Sequence, residues 1–245
     1  MIVLSMEGLV AAGKSTLLQA LNKNPYIHIE LEELDVWCNW HNENLLQNAY
    51  AGTSVDVLRL QLCASATRSK TMSVQRTRDV SDQSICIMER CSESGLECFG
   101  KCNYETGRMT KSDYELQRAV VSAMPSEYVR PDAILYIECT PAEAMQRLAK
   151  RSRTEETSVS LSYMTCLEKA HRTWIAQLEA DGIPVLRIDG TAAPAVIERD
   201  VNTRLPALID RIRTRRATHA AAAAALKAAN RIHASETSCH FQGTS

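Results

Sequence analysis

The segment EGLVAAGKST, residues 7–16, decides the fold. It matches the pattern G-x-x-x-x-G-K-[ST] in full, and it lies between the apolar run 2–6 and the helical pattern 15–22. A strand, a glycine-containing loop and a helix in this order are the context in which the pattern binds the phosphates of a nucleoside triphosphate. We therefore predict a phosphate-binding loop at this position.

Each residue type in the loop has a chemical reason for its place. Gly8 and Gly13 let backbone N–H groups approach phosphate oxygens without an obstructing Cβ, and Lys14 places a positive charge on the β- and γ-phosphates. The Ser15 hydroxyl can ligate Mg²⁺, and the helix that begins there adds its positive N-terminal end. The predicted phosphate-binding residues are Gly8, Ala11, Ala12, Gly13, Lys14, Ser15 and Thr16.

The composition is that of an ordinary globular chain. Of the 245 residues, 45% are hydrophobic and 23% are charged, and the net charge is −1. A chain of this length can form one α/β domain with a sizeable core. The near-zero charge provides no basic field for a nucleic acid or a membrane, and no apolar run approaches the roughly 20 residues that span a bilayer. We expect neither kind of partner.

The N-terminus and the cysteines both indicate a cytoplasmic protein. The chain enters the strand-like run IVLSM at once, which leaves no room for a signal or transit peptide. The nine cysteines are scattered without a C-x-x-C pair, and Cys98 and Cys102 lack the second pair of ligands that a zinc site needs. We predict reduced thiols and no metal bound by cysteine.

Apolar runs alternate with helical patterns along the chain, which favours a parallel sheet with helices on both faces. Further strands are predicted at 26–30, 84–88, 133–137 and 184–188, and further helices at 55–69, 113–124 and 141–150. Because these strands are rich in isoleucine and valine, they suit burial on both faces. We predict an α/β fold with a five-stranded parallel sheet.

The segment from residue 214 onward differs from the rest. TRRATHAAAAAALKAANRIH is rich in alanine and basic residues, and it carries no apolar stripe that could face a core. We predict one catalytic domain at 1–213 and an Ala-rich, helical or disordered tail at 214–245. The last stretch, SETSCHFQGTS, is predicted to be disordered.

A second segment, RLAKRSRTEE at 147–156, also suits phosphate chemistry. Arg147 and Arg151 lie one helical turn apart on one face, with Arg153 just beyond. Guanidinium groups that converge on a transferred phosphoryl group stabilise the charge on its oxygens, although a solvated charged face is the alternative interpretation. The chain has no N-K-x-D motif of a GTPase. We therefore predict a small-molecule kinase with an arginine-rich helical lid.

Five segments in order resemble the deoxynucleoside kinase family, which includes deoxycytidine, deoxyguanosine, mitochondrial thymidine and insect multisubstrate kinases. They are EGLVAAGKST, EELDVW, MER, TPAEAMQRLAKRSRTEE and VSLSYMTCLEKAHRTW, and they extend to about residue 190. The run R-x-R-x-E-E followed by VSLSY is more specific than the phosphate loop. The resemblance implies a P-loop kinase that transfers the γ-phosphoryl group of ATP, with Mg²⁺, to the 5′-hydroxyl of a deoxynucleoside.

By this resemblance, Glu32 is the general base for the 5′-hydroxyl, Glu89 belongs to the Mg²⁺ shell and Arg90 orients the 5′-oxygen and the phosphates. Glu33 stands where the family usually has proline, so the assignment between Glu32 and Glu33 stays open. The implied catalytic residues are Glu32, Arg90, Lys14, Arg151 and Arg153. The implied metal ligands are Ser15 and Glu89, and Arg147 and Arg151 join the loop in binding ATP.

The resemblance also implies a nucleoside pocket. Trp37 lines it, Phe99 stacks on the base, and the amide of Gln61 makes paired hydrogen bonds with the base edge. Tyr50 and Glu156 match the pair that holds the sugar 3′-hydroxyl. Core packing is the alternative interpretation for Trp37.

The preferred base is less well defined. Ala64 and Arg68 stand where deoxycytidine and deoxyguanosine kinases place a small residue and an arginine, but the position of the aspartate that pairs with this arginine is Gly95. Glycine there leaves room for the 5-methyl group of thymine. We predict a pyrimidine acceptor, thymidine or deoxycytidine, with broad specificity as an open alternative.

Two other functions share some of these features. A nucleoside monophosphate kinase, such as a thymidylate kinase-like enzyme, has the same loop and lid, and a non-catalytic module could bind ATP alone. The family resemblance also implies a homodimer, and a location in the host cytoplasm if the chain is viral.

Overall fold

The computed structural model describes residues 1–78, 84–151 and 158–240, with side chains up to residue 225. The chain forms two compact units, Met1–Arg204 and Leu205–Ser245. The described part of the second unit is helical as far as His240. This helix extends into the stretch SETSCHFQGTS, which was expected to be disordered. The predicted boundary at residue 213 lies inside this helix and stays a prediction.

The first unit contains the predicted five-stranded parallel sheet, which the structure confirms. Its strands are β1 (Ile2–Gly8), β2 (Ile27–Glu30), β3 (Ile85–Glu89), β4 (Ala133–Glu138) and β5 (Val185–Asp189). The strand order is β2-β3-β1-β4-β5, so β1 lies at the centre and pairs with β3 and β4. Met6 of β1 is in register with Glu89 of β3. The carboxyl ends of β1 and β3 therefore meet at one edge, where ligands bind in open α/β sheets.

Helices connect the strands. Their bounds are α1 (Lys14–Leu21), α2 (Leu34–Cys38), α3 (Leu45–Ala51), α4 (Ser54–Thr77), α5 (Ser92–Ser94), α6 (Lys101–Glu105), α7 (Lys111–Ala123), α8 (Ser126–Val129), α9 (Pro141–Arg151), α10 (Leu161–Ala180) and α11 (Pro194–His240), with a π-helix at Gly95–Gly100 between α5 and α6. Among the described residues, no helix is long and apolar enough to cross a membrane.

Helix α4 is the element that brings pocket residues to the sheet edge. Thr53 and Asp56 form a capping box that begins the helix, because each side chain binds the other residue's backbone N–H. Gln61, Ala64 and Arg68 follow at spacings of three and four, so they share one face of the helix, and all three are buried.

Candidate active site

The loop after β1 adopts a conformation that requires its glycines. Gly8 has φ +141°, and a Cβ built on it would lie 2.6 Å from the carbonyl oxygen of Ile137. Gly13 has φ +102° and forms the N-cap of α1. Ala11 also has a positive φ, of 61°. The predicted loop residues therefore form a tight turn that leads directly into a helix N-terminus.

Lys14 is buried at the point where the loop enters α1. Its Nζ donates a hydrogen bond to the backbone oxygen of Leu9 at 2.9 Å, and it lies 3.8 Å from Oε1 of Glu89. Burial, followed by repulsion from Arg90, lowers the pKa of Lys14 to about 8. Phosphate oxygens against the amine would favour its charged form and oppose both effects.

Ser15 and Glu89 meet next to Lys14. The Ser15 hydroxyl contacts both carboxylate oxygens of Glu89, at 2.9 and 3.1 Å. A hydroxyl and a carboxylate are hard oxygen donors of the kind that Mg²⁺ accepts. The described ranges contain no cluster of three or more His, Cys, Asp or Glu side chains that could hold a metal ion. An ion at Ser15 and Glu89 would therefore take most of its ligands from phosphates and water.

Glu32 lies at the centre of a charged group just beyond β2. Its Oε1 is 2.5 Å from Nη2 of Arg68 and 3.2 Å from Nε of Arg90. Burial raises the pKa of Glu32, but the charges of Arg90, Arg68 and Lys14 outweigh burial and hold the pKa below its ordinary value. Glu33, in contrast, accepts a hydrogen bond from Thr71 at 2.9 Å and does not line the cavity described below.

Arg90 is fixed from several sides. Its backbone has φ +67°, an unusual value for a residue with a side chain. Its Nη1 donates to the backbone oxygen of Gly8 at 2.9 Å, and its guanidinium carbon lies 4.4 Å from the centroid of the Phe99 ring. Arg90 therefore connects the phosphate loop to the ring predicted to stack on a base.

Glu7 is a buried neighbour of Arg90 that sequence reasoning missed. It is completely buried in β1, and its Oε2 lies 3.8 Å from Nη1 of Arg90. Its Oε1 accepts hydrogen bonds from the Ser5 hydroxyl at 2.6 Å and from the Cys91 backbone N–H at 3.1 Å. A lone carboxylate in an apolar strand directly before a phosphate loop was the available signal, because such a charge needs a buried cationic partner.

A cavity opens between Glu32 and α4, next to the phosphate loop. The residues predicted for the nucleoside that line it are Glu32, Trp37, Tyr50, Gln61, Ala64, Arg68, Arg90 and Phe99. Lys14, Ser15, Glu89 and Arg151 line it as well, so the predicted phosphate and nucleoside residues share one space. Arg153 and Glu156 lie outside the described residues, and their predicted roles stay predictions.

One end of the cavity is formed by Trp37 and Arg68. Trp37 is buried and donates from Nε1 to the Thr67 hydroxyl at 3.2 Å, while the Arg68 guanidinium carbon lies 5.1 Å from the centroid of the indole ring. Gly95 is next to this pair, because a Cβ built on it would be 3.1 Å from Nη1 of Arg68 and 4.0 Å from Oε1 of Gln61. Position 95 therefore faces Arg68 and Gln61, two of the residues predicted to line the nucleoside pocket.

Arg108 and Tyr163 were not predicted as site residues, although both line the cavity. The Arg108 guanidinium lies 5.6 Å from the ring centroid of Tyr50 and 5.1 Å from that of Tyr163, and it donates to the backbone oxygen of Ala49 at 2.6 Å. Tyr163 belongs to the quoted segment VSLSY, but no motif pointed to Arg108.

The π-helix Gly95–Gly100 carries Phe99 into the cavity. Such segments are rare and often occur at functional sites. The buried Gln117 of α7 donates from Nε2 to the backbone oxygen of Gly95 at 3.2 Å, and its amide packs so closely on Gly100 that a Cβ there would clash. Gln117 thus holds the segment in place, which sequence patterns did not reveal.

Arg147 of α9 takes a position on the other side of the phosphate loop. It donates to the backbone oxygens of Ala12, at 3.2 Å, and Gly190, at 2.6 Å. A second cavity lies there, bounded by the loop, α1 and the beginning of α11, and Arg151 lines both cavities. Arg147 therefore joins two backbone segments around the space predicted for ATP.

Comparison with known proteins points to one family. The family model described as deoxynucleoside kinase matches residues 4–212. The chain is 28% identical to a fowlpox virus (strain NVSL) protein named "Probable deoxycytidine kinase", over 76% of this chain and 78% of that protein. It is 30% identical to human mitochondrial thymidine kinase 2, over 76% of this chain and 70% of that protein.

Solved structures point to the same fold. A deoxyadenosine kinase from M. mycoides superposes with a TM-score of 0.72 and 20% sequence identity, covering 84% of this chain and all of that one. At this identity the similarity concerns the fold alone. The arrangement of sheet, phosphate loop and helices is therefore shared.

Proposed function

The chain belongs to the deoxynucleoside kinase family, and from this membership we propose that its preferred acceptor is a pyrimidine deoxynucleoside, with thymidine ahead of deoxycytidine. Members of this family phosphorylate deoxynucleosides, with ATP as the phosphate donor. We propose that ATP occupies the phosphate loop and the second cavity, and that the nucleoside occupies the cavity between Glu32 and α4.

In the proposed mechanism, Glu32 accepts the proton of the 5′-hydroxyl as the new P–O bond forms. Its lowered pKa supports this role, because Glu32 is ionised at neutral pH and can accept a hydrogen bond from the hydroxyl. A strong base is not required, since the transferred phosphoryl group passes through a loose transition state. Arg90 lies against Glu32 and the loop, where it can orient the 5′-oxygen.

In this proposal, the cations around the two cavities stabilise the negative charge of the phosphates. Lys14 and Arg151 line both cavities, which suits contact with the phosphates between donor and acceptor. Ser15 and Glu89 are the residues that would hold Mg²⁺, and their hard oxygens fit that ion. When bound, Mg²⁺ neutralises charge on the β- and γ-phosphates.

The observation that carries the choice of base is Gly95 beside Arg68. With glycine at 95, no carboxylate stands there to accept a hydrogen bond from an exocyclic amine of the base, and Arg68 offers only donors. A carbonyl at position 4 of the base, as in thymine, can accept from Arg68, and the absent side chain leaves room for the 5-methyl group. Cytosine presents an amine at position 4 and is therefore the weaker substrate.

An acceptor panel tests the proposal. ADP release is measured with ATP–Mg²⁺ and thymidine, deoxycytidine, deoxyadenosine or deoxyguanosine, and we expect the highest kcat/KM for thymidine. Thymidine monophosphate serves as a further acceptor: if it were preferred over thymidine, the chain would be a nucleoside monophosphate kinase. ATP binding without acceptor-dependent ADP release would indicate a non-catalytic module.

We also propose a homodimer in the cytoplasm. Val55 and Val74 of α4 and Leu116 of α7 are about half exposed, which would suit pairing through helices. The buried cysteines Cys86, Cys91, Cys98 and Cys102 are free thiols, as a reducing compartment allows. Light scattering of the purified protein tests the dimer, and cell fractionation tests the location.

A further inference from the structure

Two buried polar atoms at the nucleoside cavity have no hydrogen-bond partner among the described residues. They are Nε of Arg68, a donor, and Oδ1 of Asn103, an acceptor. Buried polar atoms in folded proteins nearly always have a partner, so each exception asks for an explanation. The other such atoms belong to residues that do not line this cavity, namely Glu7, Gln117, His171 and Trp174.

Asn103 is held in position by its backbone. It lies on α6, one helical turn after Phe99, and only 2% of it is exposed. Its backbone oxygen accepts hydrogen bonds from the N–H groups of Arg108 and Met109, at 2.8 and 2.9 Å. Both acceptor positions of the backbone oxygen are therefore occupied, and the side-chain oxygen is the acceptor of this residue that remains available to a ligand.

The neighbours of Asn103 belong to both ends of the proposed nucleoside site. Phe99 precedes it on the same helical run, and Arg108 follows it and covers the ring of Tyr50. Asn103 thus lies along the chain between the ring proposed to stack on the base and the group beside the tyrosine proposed to hold the sugar. If packing were the only role of position 103, an apolar side chain could line the cavity there without leaving a buried acceptor unpaired.

We infer that Asn103 is a further substrate-binding residue, whose side-chain amide accepts a hydrogen bond from a donor group of the bound nucleoside. This inference rests on the proposed function. The last torsion of an asparagine side chain is broad, so a modest rotation can turn Oδ1 toward a ligand. The donor is either a sugar hydroxyl or an N–H of the base, and both would give the buried acceptor its missing partner.

The first experiment compares nucleoside binding by the full chain and by Asn103→Leu, measured by calorimetry with thymidine in the absence of ATP. Losing one neutral hydrogen bond should raise the Kd roughly five- to tenfold. The thermal midpoint of the free variant should not fall, because leucine leaves no unpaired acceptor. Asn103→Ala is the second variant should leucine not fit.

Trp174→Phe is the matched control. It removes another buried and unpartnered polar atom, Nε1 of Trp174, from a residue that lies outside the cavity. Its Kd for thymidine should equal that of the unmodified chain. A loss of affinity in both variants would reveal a general packing effect and would overturn the inference.

Two analogues distinguish the possible donors. 3′-Deoxythymidine lacks the 3′-hydroxyl of the sugar but keeps the 5′-hydroxyl proposed to face Glu32, and N3-methylthymidine lacks the base N–H. The analogue without the donor that Asn103 contacts should bind the unmodified chain and Asn103→Leu equally well. A folded Asn103→Leu variant that bound thymidine within about twofold of the unmodified chain would refute the inference while leaving the proposed function intact. If the unmodified chain neither bound nor phosphorylated any nucleoside, the proposed function itself would fail.

Discussion

Arg68 and Glu32 form an ion pair in which Nη2 lies 2.5 Å from Oε1. The same guanidinium lies over Trp37 and beside Gly95, at the end of the cavity assigned to the base. One side chain therefore spans the site from the base pocket to the carboxylate proposed to accept the 5′-hydroxyl proton. Changes at either end of Arg68 should therefore affect the other end.

The role of Glu32 can be separated from that of its neighbour. Glu32→Gln should lower kcat by about 10²- to 10⁴-fold, because the amide cannot take up the hydroxyl proton. ATP binding, measured by calorimetry, should persist. Glu33→Gln is the matched control, since Glu33 binds Thr71 outside the cavity and its replacement should leave kcat nearly unchanged. The opposite pattern would assign the base to Glu33.

The pH dependence should respond to Arg68. The cationic neighbours hold the pKa of Glu32 below its ordinary value, so Glu32 stays ionised in mild acid and kcat/KM should fall only below that ordinary value. Arg68→Met removes one of these positive charges, which raises the pKa of Glu32. The acid limb of the kcat/KM profile for thymidine should therefore move to higher pH. An unchanged limb would mean that Glu32 does not control it.

The phosphate loop offers a test of backbone conformation. Gly8→Ala adds a Cβ only 2.6 Å from the Ile137 oxygen at a φ of +141°, and it should abolish ATP binding and lower the thermal midpoint. Gly107→Ala also carries a positive φ, of +73°, but a Cβ there meets nothing within 4 Å. In this control, local strain should lower the free energy of unfolding by only about 1–3 kcal/mol, and ATP binding should be kept. Equal loss of ATP binding in both variants would contradict the steric argument.

Local patterns explain which features could be predicted. The phosphate loop and the pair Glu89 and Arg90 each follow an apolar run, so their places at the ends of β1 and β3 were readable from the chain. Because β1 and β3 are parallel neighbours, their carboxyl ends lie side by side, and Ser15, which follows β1, contacts Glu89 at the end of β3. Helix α4 placed Gln61, Ala64 and Arg68 on one face through simple helical spacing.

The features that sequence patterns missed depend on contacts between distant segments. Glu7 and Arg90 are 83 positions apart, and only the register of β1 with β3 places them together. The phosphate contact of Arg147 stays a prediction, and no pattern indicated that its guanidinium also donates to two backbone oxygens, of Ala12 and Gly190. The unpaired Oδ1 of Asn103 could not be recognised without knowing what surrounds it.

An aspartate at position 95 should change the choice of base. Gly95→Asp introduces a carboxylate at a position whose Cβ lies 3.1 Å from Nη1 of Arg68, close enough to pair with that guanidinium. The new carboxylate can also accept a hydrogen bond from the amine of cytosine, whereas it repels the carbonyl oxygen of thymine. The ratio of kcat/KM for thymidine to that for deoxycytidine should therefore fall by roughly tenfold or more, since one charge-assisted hydrogen bond is gained by one substrate alone.

Gly95→Ala separates this effect from crowding. The alanine methyl group meets the far end of the flexible Arg68 side chain, which can yield, and it adds no acceptor. We expect this control to lower kcat/KM for thymidine modestly, because its methyl group crowds the 5-methyl of thymine, and to shift the ratio far less than aspartate does. Only the aspartate can pair with Arg68 and accept a hydrogen bond from the amine of cytosine. If alanine nevertheless shifted the ratio as much as aspartate, the space at position 95, and not hydrogen bonding there, would select the base.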